Sequence, residues 1–113
     1  MVSRAEAEAL VGRMYAAAGA GDLDAVDEIF TEDFHSHPMG TRGREHIRSA
    51  WQLIRQKFPD LRIVPEDILV DGDRVAARGS FRAGEQTGTL LEIFRVADGK
   101  IAELWGVSTL KLR

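Results

Sequence analysis

Around Pro59 the spacing of the apolar residues changes. Upstream they recur every three to four positions; downstream they alternate one for one. A chain built this way places helices first and strands afterwards, which is an α+β layout. In the first part, Ser3 followed by Glu6 forms a capping-box signature for a helix start. Ala7, Leu10, Val11, Met14 and Tyr15 give that helix one apolar stripe, and Gly19 and Gly21 are placed to end it. Asp22 is positioned to cap a second helix carrying Leu23, Val26, Ile29 and Phe30. Phe34-His35-Ser36-His37 reads as a brief strand or extended loop stopped by Pro38 and Gly40. A third helix is expected from about Arg44 to Lys57, with Ile47, Ala50, Trp51, Ile54 and Phe58 on one face and Pro59 closing it.

Four strands are expected in the second part, over Leu61–Val70, Arg74–Arg82, Thr87–Val96 and Lys100–Leu110. The links Asp71-Gly-Asp73, Ala83-Gly-Glu-Gln86 and Ala97-Asp-Gly99 are short, and each combines Gly with an acidic residue. Links of this length join antiparallel neighbours, because a parallel crossover needs a dozen or more residues. Pro65 inside a strand pattern points to an edge or bulge, and Gly79 and Gly88 point to bends. The periodicity leaves two arrangements open: a flat sheet under the helices, or one curled around them.

A chain of 113 residues makes one domain, spanning 1–113, with a modest core. The absence of Cys excludes disulfides, thiolate metal sites and a Cys nucleophile. A net charge of −3 argues against a nucleic-acid partner. No stretch approaches the length of a membrane span, and the first residues are acidic rather than signal-like, so a cytoplasmic protein without a membrane partner is expected.

An ordered set of segments resembles the SnoaL-like polyketide cyclase branch of the nuclear transport factor 2 and ketosteroid isomerase superfamily. The set comprises Ala20-Gly-Asp-Leu-Asp-Ala-Val-Asp-Glu-Ile-Phe-Thr-Glu-Asp-Phe34, then His35-Ser-His37, Gly43 and Phe58-Pro-Asp-Leu61. Asp71-Gly-Asp-Arg-Val-Ala-Ala-Arg78 and Glu92-Ile-Phe-Arg-Val-Ala-Asp-Gly-Lys-Ile-Ala-Glu-Leu-Trp105 complete it. The resemblance implies a curved antiparallel sheet of four to five strands, forming a cone closed by three helices. It also implies a cofactor-independent enzyme acting next to a carbonyl on an apolar or aromatic small molecule. Three departures stand out: Glu92 where relatives often carry Asp, Leu104 where they often carry His, and a short link at Ala83–Gln86.

Glu92 is the leading catalytic candidate. It shares strand parity with Leu90, Phe94 and Val96, so its carboxyl should sit on an apolar face with a raised pKa. The resemblance implies that such a residue removes a proton beside a carbonyl. The competing role is a surface carboxylate paired with Arg78 or Arg95. His35 and His37, two residues apart, share a face in an extended segment and are candidates for polarising a carbonyl or shuttling a proton. A metal there is not expected, because the pair needs a third ligand and neither Asp33 nor His46 is obviously placed to supply it.

Tyr15, Phe34, Trp51, Phe94 and Trp105 are candidates for lining a substrate pocket, with core packing as the alternative. Arg78 is a candidate for binding an anionic substrate group or neutralising Glu92, and otherwise a surface residue at a dimer interface. Arg42-Gly-Arg44 is a small basic cluster without a glycine-rich phosphate loop, and no Ser sits in an elbow motif. A homodimer is expected because Leu91, Ile93, Leu104 and Leu110 are assigned to the outer sheet face. The functions left open are cyclisation or isomerisation, hydrolysis or dehydration in the same pocket, and non-catalytic binding or dimerisation.

Overall fold

The computed structural model describes residues 1–112. Helix α1 (Arg4–Ala20) begins with the expected capping box: Ser3 Oγ accepts from the Glu6 N–H while Glu6 reaches back to the Ser3 N–H. Gly21, at φ 65°, ends it in the left-handed conformation. The second helix is much reduced. It consists of a 3-10 turn at Leu23–Ala25 and one α-turn, α2 (Val26–Ile29), and Asp22 makes no side-chain cap. Phe30, expected to be helical, instead opens strand β1 (Phe30–Ser36). Strand β2 (Thr41–Arg42) folds back on β1 and leads into helix α3 (Arg44–Lys57), which has the expected bounds.

Strands β3 (Arg62–Asp71), β4 (Arg74–Ala83), β5 (Gln86–Ala97) and β6 (Lys100–Ser108) form the expected antiparallel meander. The whole sheet differs from the expectation in three respects. Among the described residues it has six strands, in the order β2-β1-β6-β5-β4-β3, rather than four or five. It is not wholly antiparallel, since β1 runs parallel to β6. The helix and four strands between them supply the long crossover that a parallel pair requires. It is also open: β2 and β3 are its two edges, so it curves without closing into a cone.

The curvature has local causes. The register shifts between Pro65 and Asp67 in the edge strand β3, at the bulge that Pro65 forecasts. It shifts again between Arg95 and Val96 in β5 and between Phe30 and His35 in β1. The concave face wraps α1 and α3. Phe30 and Phe34 pack with ring centroids 4.5 Å apart, and Trp51 of α3 meets Phe30 edge-on at 5.8 Å. Arg44 holds α3 to the strand entry by donating to the carbonyls of Phe30 and Asp27. Its guanidinium is thereby committed to the fold rather than to a phosphate. No described helix is long and apolar enough to cross a membrane.

Candidate functional site

The concave side of the sheet encloses an apolar cavity of about 280 Å³. Met14, Tyr15 and Ala18 of α1 form one wall, and Ile47, Trp51 and Ile54 of α3 form another. The sheet supplies the floor through Phe81, Leu90, Glu92, Leu104 and Gly106, with Pro38 and Met39 from the β1–β2 turn at the rim. These positions follow from sequence pattern: the helical residues lie on the two apolar stripes, and the strand residues share the inward parity. Val107 and Leu110 also border it.

Among the described residues, Glu92 is the only charged one on that lining. In the sheet it faces Ala77 of β4 and Gly106 of β6, so small neighbours on both sides leave room for its side chain. Tyr15 Oη donates to Glu92 Oε1 at 3.1 Å. Burial pushes the Glu92 carboxyl up to about 7, while the Tyr15 hydrogen bond, which favours the ionised form, works the other way. The phenol of Tyr15 is itself raised, first by burial and then by the neighbouring Glu92 charge. Neither candidate arginine reaches Glu92: Arg78 pairs with Asp67 at 2.7 Å and Arg95 with Glu103 at 3.0 Å, both on the outer face. Among the described residues, Glu92 has no cationic partner to offset its burial.

Gly79 and Gly106 clear the space for this pair. A Cβ at position 106 would stand 2.9 Å from Glu92 Cγ and 3.0 Å from the Leu91 carbonyl oxygen. One at position 79 would press on the Tyr15 ring at 3.1 Å. Gly106→Ala is accordingly expected to displace the carboxyl and break its bond to Tyr15. Misplacement of a reacting group by about 1 Å costs up to about 100-fold in rate. A loss of at least about tenfold in any Glu92-dependent activity, in a variant that remains folded by circular dichroism, is the expected result.

The structure separates the remaining candidates. Tyr15 and Trp51 line the cavity. Phe34 and Phe94 are each 1% exposed and belong to the packed core rather than to the cavity wall. Four residues lie on the opposite, outer face of the sheet. Besides Arg78 these are His35, aligned with Glu103; His37, stacked on Trp105 at 4.7 Å; and Trp105 itself, aligned with Ile93. Phe34 and Ser36 take the inward positions of β1, which turns the alternate residue His35 outward. His35 and His37 thus share a face as expected, but not the face of Glu92. Leu104, assigned to the outer face from sequence, points into the cavity, as does Leu110.

His35 and His37 instead meet Glu103. His37 Nε2 lies 2.7 Å and His35 Nδ1 3.7 Å from Glu103 Oε2. Hydrogen bonds from His37 and then Arg95 hold the Glu103 carboxyl down at about 2. The His35 imidazole is lowered, first by loss of solvent and then by charge repulsion from the neighbouring His37 and Arg42 side chains. Glu103 was not singled out in sequence. Only its outward parity beside Trp105 could have marked it, and the partners come from a strand 66 residues away.

Comparison with known proteins gives a consistent assignment. The model of the SnoaL-like domain matches residues 11–104. A candidate polyketide cyclase from Bacillus cereus ATCC 10987 is 31% identical, with 96% of this chain and 79% of that one covered and a TM-score of 0.84. IdmH from Streptomyces antibioticus, also a candidate polyketide cyclase, is 28% identical over 90% of this chain and 91% of its own, with a TM-score of 0.78. TsrD from Streptomyces laurentii, at 24% identity, shares the fold with a TM-score of 0.85 over 96% of this chain and 92% of its own. A search of the curated proteins finds no match. The curved α+β fold agrees with that of TsrD, and with one family model spanning residues 11–104 the chain belongs to the SnoaL-like domain family.

Proposed function

We propose that the protein catalyses proton abstraction next to a carbonyl in an apolar small molecule, as a SnoaL-like cyclase or isomerase, with Glu92 as the base. The observation that carries this reading is the Glu92 carboxyl, the one that the described residues place on the cavity floor, raised to about 7 by burial and bonded to Tyr15. A base poised near neutral pH is suited both to taking a proton and to returning it. Glu92 removes the proton from the carbon beside a carbonyl. As Glu92 takes the proton and ceases to accept, the single Tyr15 hydroxyl hydrogen turns from the carboxyl to the carbonyl oxygen, which is gaining enolate charge. In a cyclisation the enolate carbon then forms a bond to a second carbonyl carbon of the same molecule, and the protonated Glu92 gives its proton to the new alkoxide. Trp51 and the aliphatic walls hold the substrate by shape. At about 280 Å³ the cavity is near the lower end of ligand sites, which run from about 300 to 1,000 Å³ and suit substrates of one or two rings at this size.

Hydrogen–deuterium exchange tests the reading without requiring the natural substrate. The protein is incubated in D₂O with a panel of small aromatic ketones and 1,3-diketones, and loss of the α-proton signal is followed by NMR. Exchange accelerated by the protein, and lost in Glu92→Gln, is the expected result. Binding of the same compounds without accelerated exchange would instead favour a non-catalytic binding domain.

The reading includes a homodimer formed through the outer sheet face. Leu69, Leu91, Ile93 and Val107 are 46–72% exposed there and line a shared groove, an extent of apolar surface that a second copy would cover. Light scattering at micromolar concentration is expected to give twice the chain mass of 12.5 kDa. A single-chain mass would contradict it.

A further inference from the structure

We propose that His35, His37 and Glu103 form a binding site for a divalent transition-metal ion of the zinc class, on the outer face of the sheet and separate from the cavity. Two imidazole nitrogens and one carboxylate oxygen converge there, with all three ligand atoms within 4.8 Å of one another. Glu103 Oε2 is 2.7 Å from His37 Nε2 and 3.7 Å from His35 Nδ1. Ligands held about 2.0–2.2 Å from a tetrahedral zinc ion stand roughly 3.3 Å apart, and the two observed separations bracket that value. Small side-chain adjustments therefore admit the ion without moving the backbone.

The frame around the ligands is rigid. His35 and Glu103 are aligned across the parallel β1–β6 pairing, and the His37 N–H donates to the Leu104 carbonyl at 2.9 Å, which fixes the end of β1. The His37 ring lies on Trp105 with an interplanar angle of 10°. Arg95 Nε binds Glu103 Oε1 at 3.0 Å, which leaves Oε2 turned to the imidazoles. This is the outer-shell support that orients a metal-bound carboxylate. His37 is exposed and leaves room for water to complete the coordination. The donor set excludes calcium and magnesium, which take all-oxygen shells, and suits zinc, cobalt, nickel or copper. Arg42, Arg74 and Arg95 surround the cluster and moderate its affinity by repulsion.

Because the ligands come from β1, the turn that follows it and β6, a bound ion would pin the β1–β2 edge to the rest of the sheet. Binding to the folded state alone raises the melting temperature by mass action. The experiment is a calorimetric titration of the full chain with Zn²⁺ alone, paired with Co²⁺ absorption and thermal melts. One equivalent is expected to bind, with visible Co²⁺ bands of a four- or five-coordinate site and a higher melting temperature. His37→Ala and Glu103→Gln should each weaken binding at least about tenfold and remove the thermal gain. His46→Ala, which alters the exposed third histidine on α3, should change neither. His37 is exposed, so its variant is expected to fold even if Glu103→Gln does not. Wild-type affinity in His35→Ala and His37→Ala, or no saturable binding to the intact protein, would overturn the proposal.

Discussion

Glu92→Gln is expected to reduce protein-catalysed α-proton exchange by at least about 100-fold, the scale of a lost general base. Gln keeps the shape and the ability to accept from Tyr15 Oη but cannot take a proton. The variant should therefore retain ligand affinity while losing turnover. It should also alter stability in a defined direction. The folded-state carboxyl titrates at about 7 against an ordinary value of 4.5, so between those values the folded protein holds a proton that the unfolded chain releases. Stability then falls as pH rises through the window from about 4.5 to about 7 and levels off above it. Gln removes this term, so the variant gains on the wild type from pH 4 to pH 8, by an amount on the order of 3 kcal/mol or less. Activity and stability moving in opposite directions is the signature of a buried functional carboxyl. Urea denaturation at the two pH values, alongside the exchange assay, measures both. Near-wild-type exchange in the variant would remove Glu92 from the role.

Phe34→Ala is expected to destabilise the fold by about 3–5 kcal/mol, the usual cost of truncating a buried Phe. Its ring is 1% exposed and lies against Phe30, which in turn meets Trp51, so the lost volume sits where β1, β6 and α3 join. Domains of this kind have total stabilities of about 5–15 kcal/mol, so this is a large fraction. Because Phe34 is behind the cavity wall, the effect should appear in the urea midpoint, while the folded fraction binds ligand nearly as the wild type does. A loss below about 1 kcal/mol would contradict its place in the core.

The two cases show what the sequence made visible. Periodicity located α1, α3 and the β3–β6 meander closely, because local hydrogen bonding and one buried face set their patterns. Pro65 marked an edge-strand bulge because proline cannot continue the ladder. The parity of Glu92 with Leu90 and Phe94 put it on the inner face, where the structure has it. The face of His35 and His37 was not legible. Spacing by two says that they point the same way, but the direction depends on β1 joining β6 in parallel, a contact made across more than 60 residues. The same pairing brings Glu103 to them as the third ligand that the sequence lacked nearby. Tyr15 shows the same limit: its stripe announced burial, and its hydroxyl needed a partner, but the partner lies 77 residues away. Among the aromatic candidates the polar groups of Tyr15 and Trp51 favour these two for a pocket role, and the structure puts both on the cavity wall and Phe34 in the core.

A titration of the Glu92 side chain by carbon-detected NMR tests the central claim most directly, with Glu92→Gln identifying the signal. The expected midpoint is near 7, and in Tyr15→Phe it should move higher, because the hydrogen bond that favours the ionised form is gone. A midpoint near the ordinary 4.5, unmoved by Tyr15→Phe, would contradict the account.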